Sequence, residues 1–440
     1  MQPKILLVNP PIYDFSAYDF WLKPYGLLRV AGYLRDQAQL ALFDYLDRLH
    51  PLAPSDPSQG VGTWGRGPFY ADHVPKPEQF AAIPRTYQRY GLPQSLFQTF
   101  LAEAGPFDVA LIQTVMTYWY PGVQEVIEDI RAFAPQTRIV LGGVYATLCP
   151  RHAHSLGADL VIDRDHLDPL WQLLRLTPRL QELPLWEAYA DLQVGIVKLA
   201  DGCPFKCTYC SVPQVYPPFT ARPLERTLAE LAWLRQRGAQ HIAFYDDALL
   251  FKPDQTLLPF LRQVMQRRLE AHFHTPNALN ARFITRDIAQ AMVQAGFQTF
   301  YLGFESSAYT WQRHTGGKVY AHELEQAVEH LVSAGADIRQ ITAYLIMAHP
   351  QSDQQDLEAS MHFAHGLGLR LMLSEFSPIP GTPDGEHCRQ WVDLDEPLWH
   401  NKTVFPLVLL GATEVQRLKT LCRALNGRLE DRSRLTTVLR

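Results

Sequence analysis

The sequence predicts an α/β protein: a doubly wound parallel sheet, then a partial barrel of six βα units, then a small helical C-terminal appendage. Three observations predict it. Short apolar runs alternate with helical patterns from the first residues onward, which makes the sheets parallel and covers both faces. A second alternation recurs at short spacing after residue 193. Glycines stop three of its helices (Gly238, Gly296, Gly335), as C-caps do. With 47% apolar and 19% charged residues in 440, disorder is excluded as the main state. A net charge of −5 gives no indication of nucleic-acid binding.

In the first part, strands are expected at 5–8, 40–43, 109–113, 139–141 and 160–162. A helix is expected at 25–36, where Leu27, Leu28, Ala31 and Leu34 share a face, and another at 124–133. Open sheets of this kind bind ligands outside the carboxyl ends of their strands. Those ends carry Asn9, Pro10 and Pro11, then Gln113 and Thr114, then Gly142 and Gly143. Residues 49–91 interrupt the pattern and are rich in Pro and Gly, yet they carry Trp64, Phe69, Tyr70, Tyr87 and Tyr90. This reads as an ordered insertion. It is either a surface excursion packed on its own aromatics or a loop covering a ligand.

The first unit is taken as residues 1–170, a Pro-containing linker as 171–192, the barrel as 193–383 and the appendage as 384–440. Barrel strands are expected at 194–200, 241–245, 271–275, 299–304, 338–347 and 370–376. Helices are expected at 225–237, 255–268, 286–295, 321–334 and 354–367. Six units imply an open, three-quarter ring rather than eight-fold closure, with its site at the carboxyl ends of the strands. No apolar run reaches the roughly 20 residues that span a bilayer, and residues 1–11 lack a secretory core. A cytoplasmic protein with no membrane partner is expected.

Six cysteines are too few for a disulfide scaffold, and three fall within eight residues. Cys203, Cys207 and Cys210 have the spacing Cys-x3-Cys-x2-Cys, after the first barrel strand. Three thiolates do not complete a structural zinc site, but they can hold three irons of a cubane and leave the fourth open. This motif, on the first strand of a six-unit βα barrel, resembles the radical S-adenosylmethionine (SAM) superfamily. The resemblance implies a 4Fe-4S cluster on the three cysteines and SAM on the open iron. It places the backbone of Tyr209 at the adenine, Phe205 among the SAM contacts, Asp246 and Asp247 near the SAM amino group, and Glu305 and Ser306 on the ribose. Asn277 and Arg282 become candidates for polar contacts, with a plain polar turn as the rival, and Ile346 a candidate adenine wall.

The string Leu141-Gly142-Gly143-Val144-Tyr145-Ala146-Thr147 follows a strand ahead of that barrel. It resembles the Rossmann-like cobalamin-binding domain often fused to radical SAM enzymes. Asn9, Pro10, Thr114, Met116, Gly142, Gly143 and Thr147 are the candidate cobalamin contacts. No Asp-x-His-x-x-Gly occurs in residues 1–170, so no histidine ligand to cobalt is expected. The resemblance implies a methyltransferase acting on an unactivated carbon of a small molecule, with an external electron donor such as flavodoxin or ferredoxin. A radical rearrangement, cyclisation or oxidation is the alternative, and a non-catalytic cobalamin- or metal-binding protein is a further one. A methylthiotransferase is disfavoured, because its N-terminal domain would need a second cysteine triad and only Cys149 is present.

Overall fold

The computed structural model describes residues 2–54 and 62–438. Strands Lys4–Asn9, Gln39–Asp44, Val109–Thr114, Arg138–Gly143 and Leu160–Val161 form one parallel sheet. Their spatial order is second, first, third, fourth, fifth. The connections reverse between the first and third strands, and such a switch point opens a crevice at the carboxyl ends. The first and third strands are buried on both faces. Ile5, Leu7, Val109 and Leu111 pack with Leu27, Leu28 and Ala31 of helix Tyr25–Tyr33. Leu6, Val8, Ala110 and Ile112 pack with Phe97 of helix Gln94–Ala104 and Val126 of helix Tyr120–Phe133. The first of these cores continues into the barrel.

The 49–91 insertion contains structure that its composition hides; residues 55–61 of it lie outside the described residues. Strand Gln88–Tyr90 pairs antiparallel with both Ile12–Asp14 and Ala71–His73. The insertion also enters the barrel. Trp64 accepts a hydrogen bond from Trp21 Nε1 on its carbonyl at 2.7 Å, and Arg66 Nη1 donates to the Tyr301 hydroxyl at 2.6 Å. Gly65 passes so close to the barrel wall that a Cβ there would sit 3.0 Å from His241 and from Val194.

The barrel strands are Val194–Val197, His241–Phe244, His272–His274, Phe300–Glu305, Ile341–Met347 and Arg370–Glu375, all parallel. The third and fourth are joined only by single bridges, through Phe273 and Leu279. On the open edge of the sixth strand, Asn426 of helix Ala412–Val438 accepts from the Leu371 amide at 2.8 Å and donates to its carbonyl at 2.9 Å. That satisfies backbone groups which would otherwise template aggregation.

Residues 171–192 do not behave as a free linker. Trp186 and Tyr189 are buried. Tyr189 donates to Asp44 Oδ2 of the first sheet at 2.6 Å, and Trp186 Nε1 donates to Glu230 Oε1 of barrel helix Leu224–Gln236 at 2.9 Å. Tyr25 donates to the other Glu230 oxygen at 3.2 Å. Burial, only partly offset by the Trp186 bond and Arg222, pushes the Glu230 carboxyl up to about 7 from 4.5. The folded state therefore keeps a proton that the unfolded chain has already released. The associated stability is fully present below pH 4.5 and is lost as pH climbs to about 7. The loss is on the order of 3 kcal/mol. Glu230→Gln is expected to gain melting temperature relative to wild type at pH 8 compared with pH 5. An offset independent of pH would contradict this.

Candidate functional site

The cysteine loop is held at its root by backbone chemistry. After the first barrel strand, Ala200–Asp201 pairs antiparallel with Thr220–Ala221. Gly202, at φ +74°, runs under Pro217, whose carbonyl oxygen would lie 1.9 Å from any Cβ. Asp201 binds Arg222 through both oxygens at 2.8 Å and Lys198 at 3.1 Å, and these cations hold its carboxyl far below the usual range despite burial. Cys203, Cys207 and Cys210 follow, half-buried and free of disulfides. Burial raises all three thiols, that of Cys210 to about 11, and Lys318 opposes the rise at each. Among the described residues, no three His, Cys, Asp or Glu side chains converge as ligands of a single ion. A cubane makes no such demand, since each thiolate takes its own iron.

Asp246 requires a correction. Its carboxylate is buried and accepts from the Leu199 and Ala200 amides at 2.7–3.1 Å. It staples the second strand to the root of the cysteine loop and is not free for a ligand. Its neighbour Asp247 differs: Oδ2 is buried without a partner. Burial raises its carboxyl, while Lys198 pulls it down. Such an oxygen fits an ammonium group.

Glu305 ends the fourth strand at φ +68°, where the register to the fifth strand slips. It pairs with Lys318 Nζ at 2.8 Å. Lys318 Nζ packs over Gly303, where a Cβ would lie 2.6 Å from it. Its carrier loop also rests on the cysteine loop. The Thr208 amide donates to the Thr315 carbonyl at 3.3 Å, and a Cβ on Gly316 would be 3.2 Å from Cys207 Cα. Sequence reasoning missed Lys318 because it lies well beyond the strand end, and Gly316-Gly317 beside it was the available signal.

Arg282 also needs correcting. It donates to Glu323 Oε1 at 2.8 Å and to the Gly317 carbonyl at 2.6 Å, so it braces the Lys318 loop from outside. Asn277 donates to the Asp246 carbonyl at 3.3 Å. Ser306 accepts from the Ala308 amide at 3.1 Å. Nearby Asn280 Nδ2 is buried without a partner. Ile346 sits in an apolar cluster with Trp311 and Phe376, against which Tyr209 packs. Phe205 lies instead among Phe251 and Phe283, at ring distances of 5.9 and 5.8 Å. The buried unpartnered atoms are thus an Asp247 oxygen and the Asn280 amide nitrogen, and Lys318, paired with Glu305, adds a cation facing the thiols. That set fits a zwitterionic ligand.

In the first sheet, three polar candidates bond within the protein. Asn9 donates to Asp44 at 2.7 Å. Thr114 Oγ1 donates to the Gly142 carbonyl and accepts from the Ala146 amide, both at 3.1 Å. Thr147 Oγ1 accepts from the Arg164 amide at 2.9 Å. Pro10 is buried. Gly143 is needed by the protein itself: at φ +114°, a Cβ would sit 2.2 Å from the Thr114 carbonyl oxygen. Gly142 is roomier, with Ile162 Cβ at 3.8 Å as the nearest contact, and Met116 is exposed. Helix Val144–Leu148, directly after Gly143, packs on helix Val212–Val215, directly after the cysteine loop. The carboxyl end of the sheet therefore adjoins the cysteines.

Residues 197–364 match the family model of the radical SAM superfamily. An uncharacterized methyltransferase of Pyrococcus horikoshii is 26% identical over 47% of this chain and 44% of its own length. A threonylcarbamoyladenosine tRNA methylthiotransferase of Thermotoga maritima is 23% identical over 59% of this chain and 64% of its own. The chain thus spans about half to two thirds of these curated relatives. Among solved structures, the radical SAM methyltransferase TsrM of Kitasatospora setae, with tryptophan and a SAM analogue bound, superposes over 88% of this chain and 76% of its own, with TM-score 0.65 and 14% identity. The cobalamin-dependent SAM radical enzyme OxsB, with aqua-cobalamin and SAM bound, covers 96% of this chain and 61% of its own, with TM-score 0.57 and 13% identity. Residues 197–364 are a radical SAM superfamily domain, and the chain as a whole takes the two-part fold seen in cobalamin-dependent radical SAM enzymes.

Proposed function

We propose that this chain is a cobalamin-dependent radical SAM methyltransferase that acts on an unactivated carbon of a small molecule. The observation that carries the reading is the packing of helix Val144–Leu148 on helix Val212–Val215, which brings the Gly142–Gly143 end of the sheet beside the cysteine loop. Two cofactor sites that face each other can serve one carbon. Cys203, Cys207 and Cys210 hold the cluster, which supplies the electron for reductive cleavage of SAM. Asp247 receives the SAM ammonium and Lys318 its carboxylate. Glu305 and Ser306 lie at the ribose, and Tyr209 and Ile346 at the adenine. The backbone at Gly142, with Met116 nearby, lines the corrinoid site. The packed barrel walls exclude water from the reacting groups.

The names of several relatives suggest methylthiotransfer instead. Against it, the first 170 residues hold a single cysteine, Cys149, where a second cluster would need more. The direct test is anaerobic incubation of the reconstituted protein with methyl-labelled SAM and a lysate, followed by a search for a labelled small molecule. Label found in RNA or protein as methylthio groups would replace this reading.

Cobalamin binding has its own test. Gly142→Phe, at a position where a Cβ meets nothing closer than 3.8 Å, is expected to abolish retention of hydroxocobalamin in equilibrium dialysis, with an unchanged circular dichroism spectrum showing that it folds. Gly143→Val would distort the turn and so tests nothing about the ligand. Undiminished retention by Gly142→Phe, or a spectrum with an imidazole ligand on cobalt, would contradict the assignment.

A further inference from the structure

A chain of buried polar groups ends on the cysteine loop at Thr208. It begins at Trp311 in helix Tyr309–His314. The indole Nε1 donates to His349 Nδ1 at 3.2 Å, and the Gln351 amide donates to the same nitrogen at 3.2 Å. Two donors on Nδ1 place the ring proton on Nε2. Nε2 then donates to Asp384 Oδ2 at 2.9 Å, and Thr208 Oγ1 donates to that same oxygen at 2.5 Å. The Asp384 amide donates back to the Thr208 carbonyl at 3.2 Å. Thr208 lies between Cys207 and Cys210. Next to it, the Tyr209 ring stacks on Trp311 with centroids 6.1 Å apart and meets His349 edge-on.

The far end of the chain is buried and anchored. His349 and Asp384 are 1% and 3% exposed. His349 follows Ala348, held at φ +65° just after the fifth strand. Asp384 lies in the first turn of helix Pro383–His387, which Thr382 caps by accepting from the Gly385 amide at 3.0 Å. By contrast, the 207–210 turn has few bonds of its own. Its backbone bonds are Cys210 to the Cys207 carbonyl at 3.1 Å, Thr208 to Thr315 at 3.3 Å, and the contact from Asp384. Asp384 meets the turn twice, through hydroxyl and carbonyl, and is the buried charged group among its partners.

We infer that Trp311, His349 and Asp384 are positioning residues that hold the Cys207–Cys210 turn in its ligating shape before any iron binds. The inference rests on the reading of these cysteines as cluster ligands, and it extends that reading to how the site is assembled. Without the network, each binding event would have to order the turn, and affinity for iron would fall by the population of the ordered form.

The test uses Thr208→Val, which removes the hydroxyl and keeps the shape, Thr208→Ser, which keeps the hydroxyl, and Asp384→Asn. Amide hydrogen exchange is measured on the iron-free full-length chain. Iron, sulfide and the electron paramagnetic resonance spectrum are measured after anaerobic reconstitution. Thr208→Val and Asp384→Asn are expected to speed exchange across 207–211 about tenfold, the worth of one hydrogen bond to a charged group. They should also retain less than half the iron of wild type and give an altered spectrum, with exchange elsewhere in the barrel unchanged. Thr208→Ser should match wild type. If both variants keep wild-type exchange in the iron-free chain, the inference is wrong, whatever happens to iron. Should Asp384→Asn fail to fold, Thr208→Val decides alone. The underlying reading fails separately: wild-type protein that takes up no iron would overturn the cluster assignment, while the exchange comparison still reports on the turn.

Discussion

Replacing Cys203, Cys207 and Cys210 together with alanine is expected to take iron from about four per chain to none and to abolish SAM cleavage. The size of the effect follows from the absence of substitutes. Among the described residues, no group of three His, Cys, Asp or Glu side chains converges that could replace them, and Cys149, Cys388 and Cys422 sit far apart in sequence. Cys388 is fully buried and donates to the Asp384 carbonyl at 3.1 Å, so it is already engaged. The fold should survive, because Gly202, Asp201 and Asp246 anchor the loop without the thiols. Iron and sulfide that persist in the triple variant would refute the ligand assignment.

Lys318→Met is expected to weaken SAM binding about 10- to 100-fold while leaving iron content intact, since a charge-assisted contact contributes about 1.5–3 kcal/mol. Lys318 is the cation paired with Glu305 beside Gly303 and facing the thiols. Its removal also leaves Glu305 as a buried unpaired carboxylate, which by itself destabilises the protein. The double variant Lys318→Met/Glu305→Gln removes that penalty. It should recover melting temperature without recovering SAM affinity. Calorimetric titration with SAM on the reconstituted protein separates the two effects. Wild-type affinity in the single variant would show that the lysine serves only the ion pair.

How much of this was legible beforehand varied with the kind of signal. The cysteine spacing and the βα alternation are local patterns, and the three cysteines do follow the first barrel strand. Asp246 and Asp247 look alike in a sequence; the fold alone turns one towards the Leu199 and Ala200 amides and leaves the other with an unpaired oxygen. Arg282 looked like a ligand because its partners, Gly317 and Glu323, come from a distant loop and helix. Lys318 was missed because it lies 13 residues beyond its partner Glu305 at the strand end. In the insertion, Pro and Gly suggested irregular chain, yet two short strands, one of them paired with Ile12–Asp14, and the Trp64–Arg66 stretch against the barrel are set by tertiary contacts. In the 171–192 segment, prolines outweighed Trp186 and Tyr189 in the reading. The burial of those two rings makes the segment a strut between sheet and barrel.

The gain of a methyl group on carbon is tested most directly by counting products per turnover. Hydrogen abstraction consumes one SAM and leaves 5′-deoxyadenosine and methionine. Delivery of the methyl group consumes a second SAM and leaves S-adenosylhomocysteine. With cobalamin and cluster loaded and the substrate fraction supplied, the account expects 5′-deoxyadenosine, S-adenosylhomocysteine and singly methylated product in equal amounts. Deoxyadenosine formed with product but without S-adenosylhomocysteine would contradict methylation and favour a rearrangement or cyclisation.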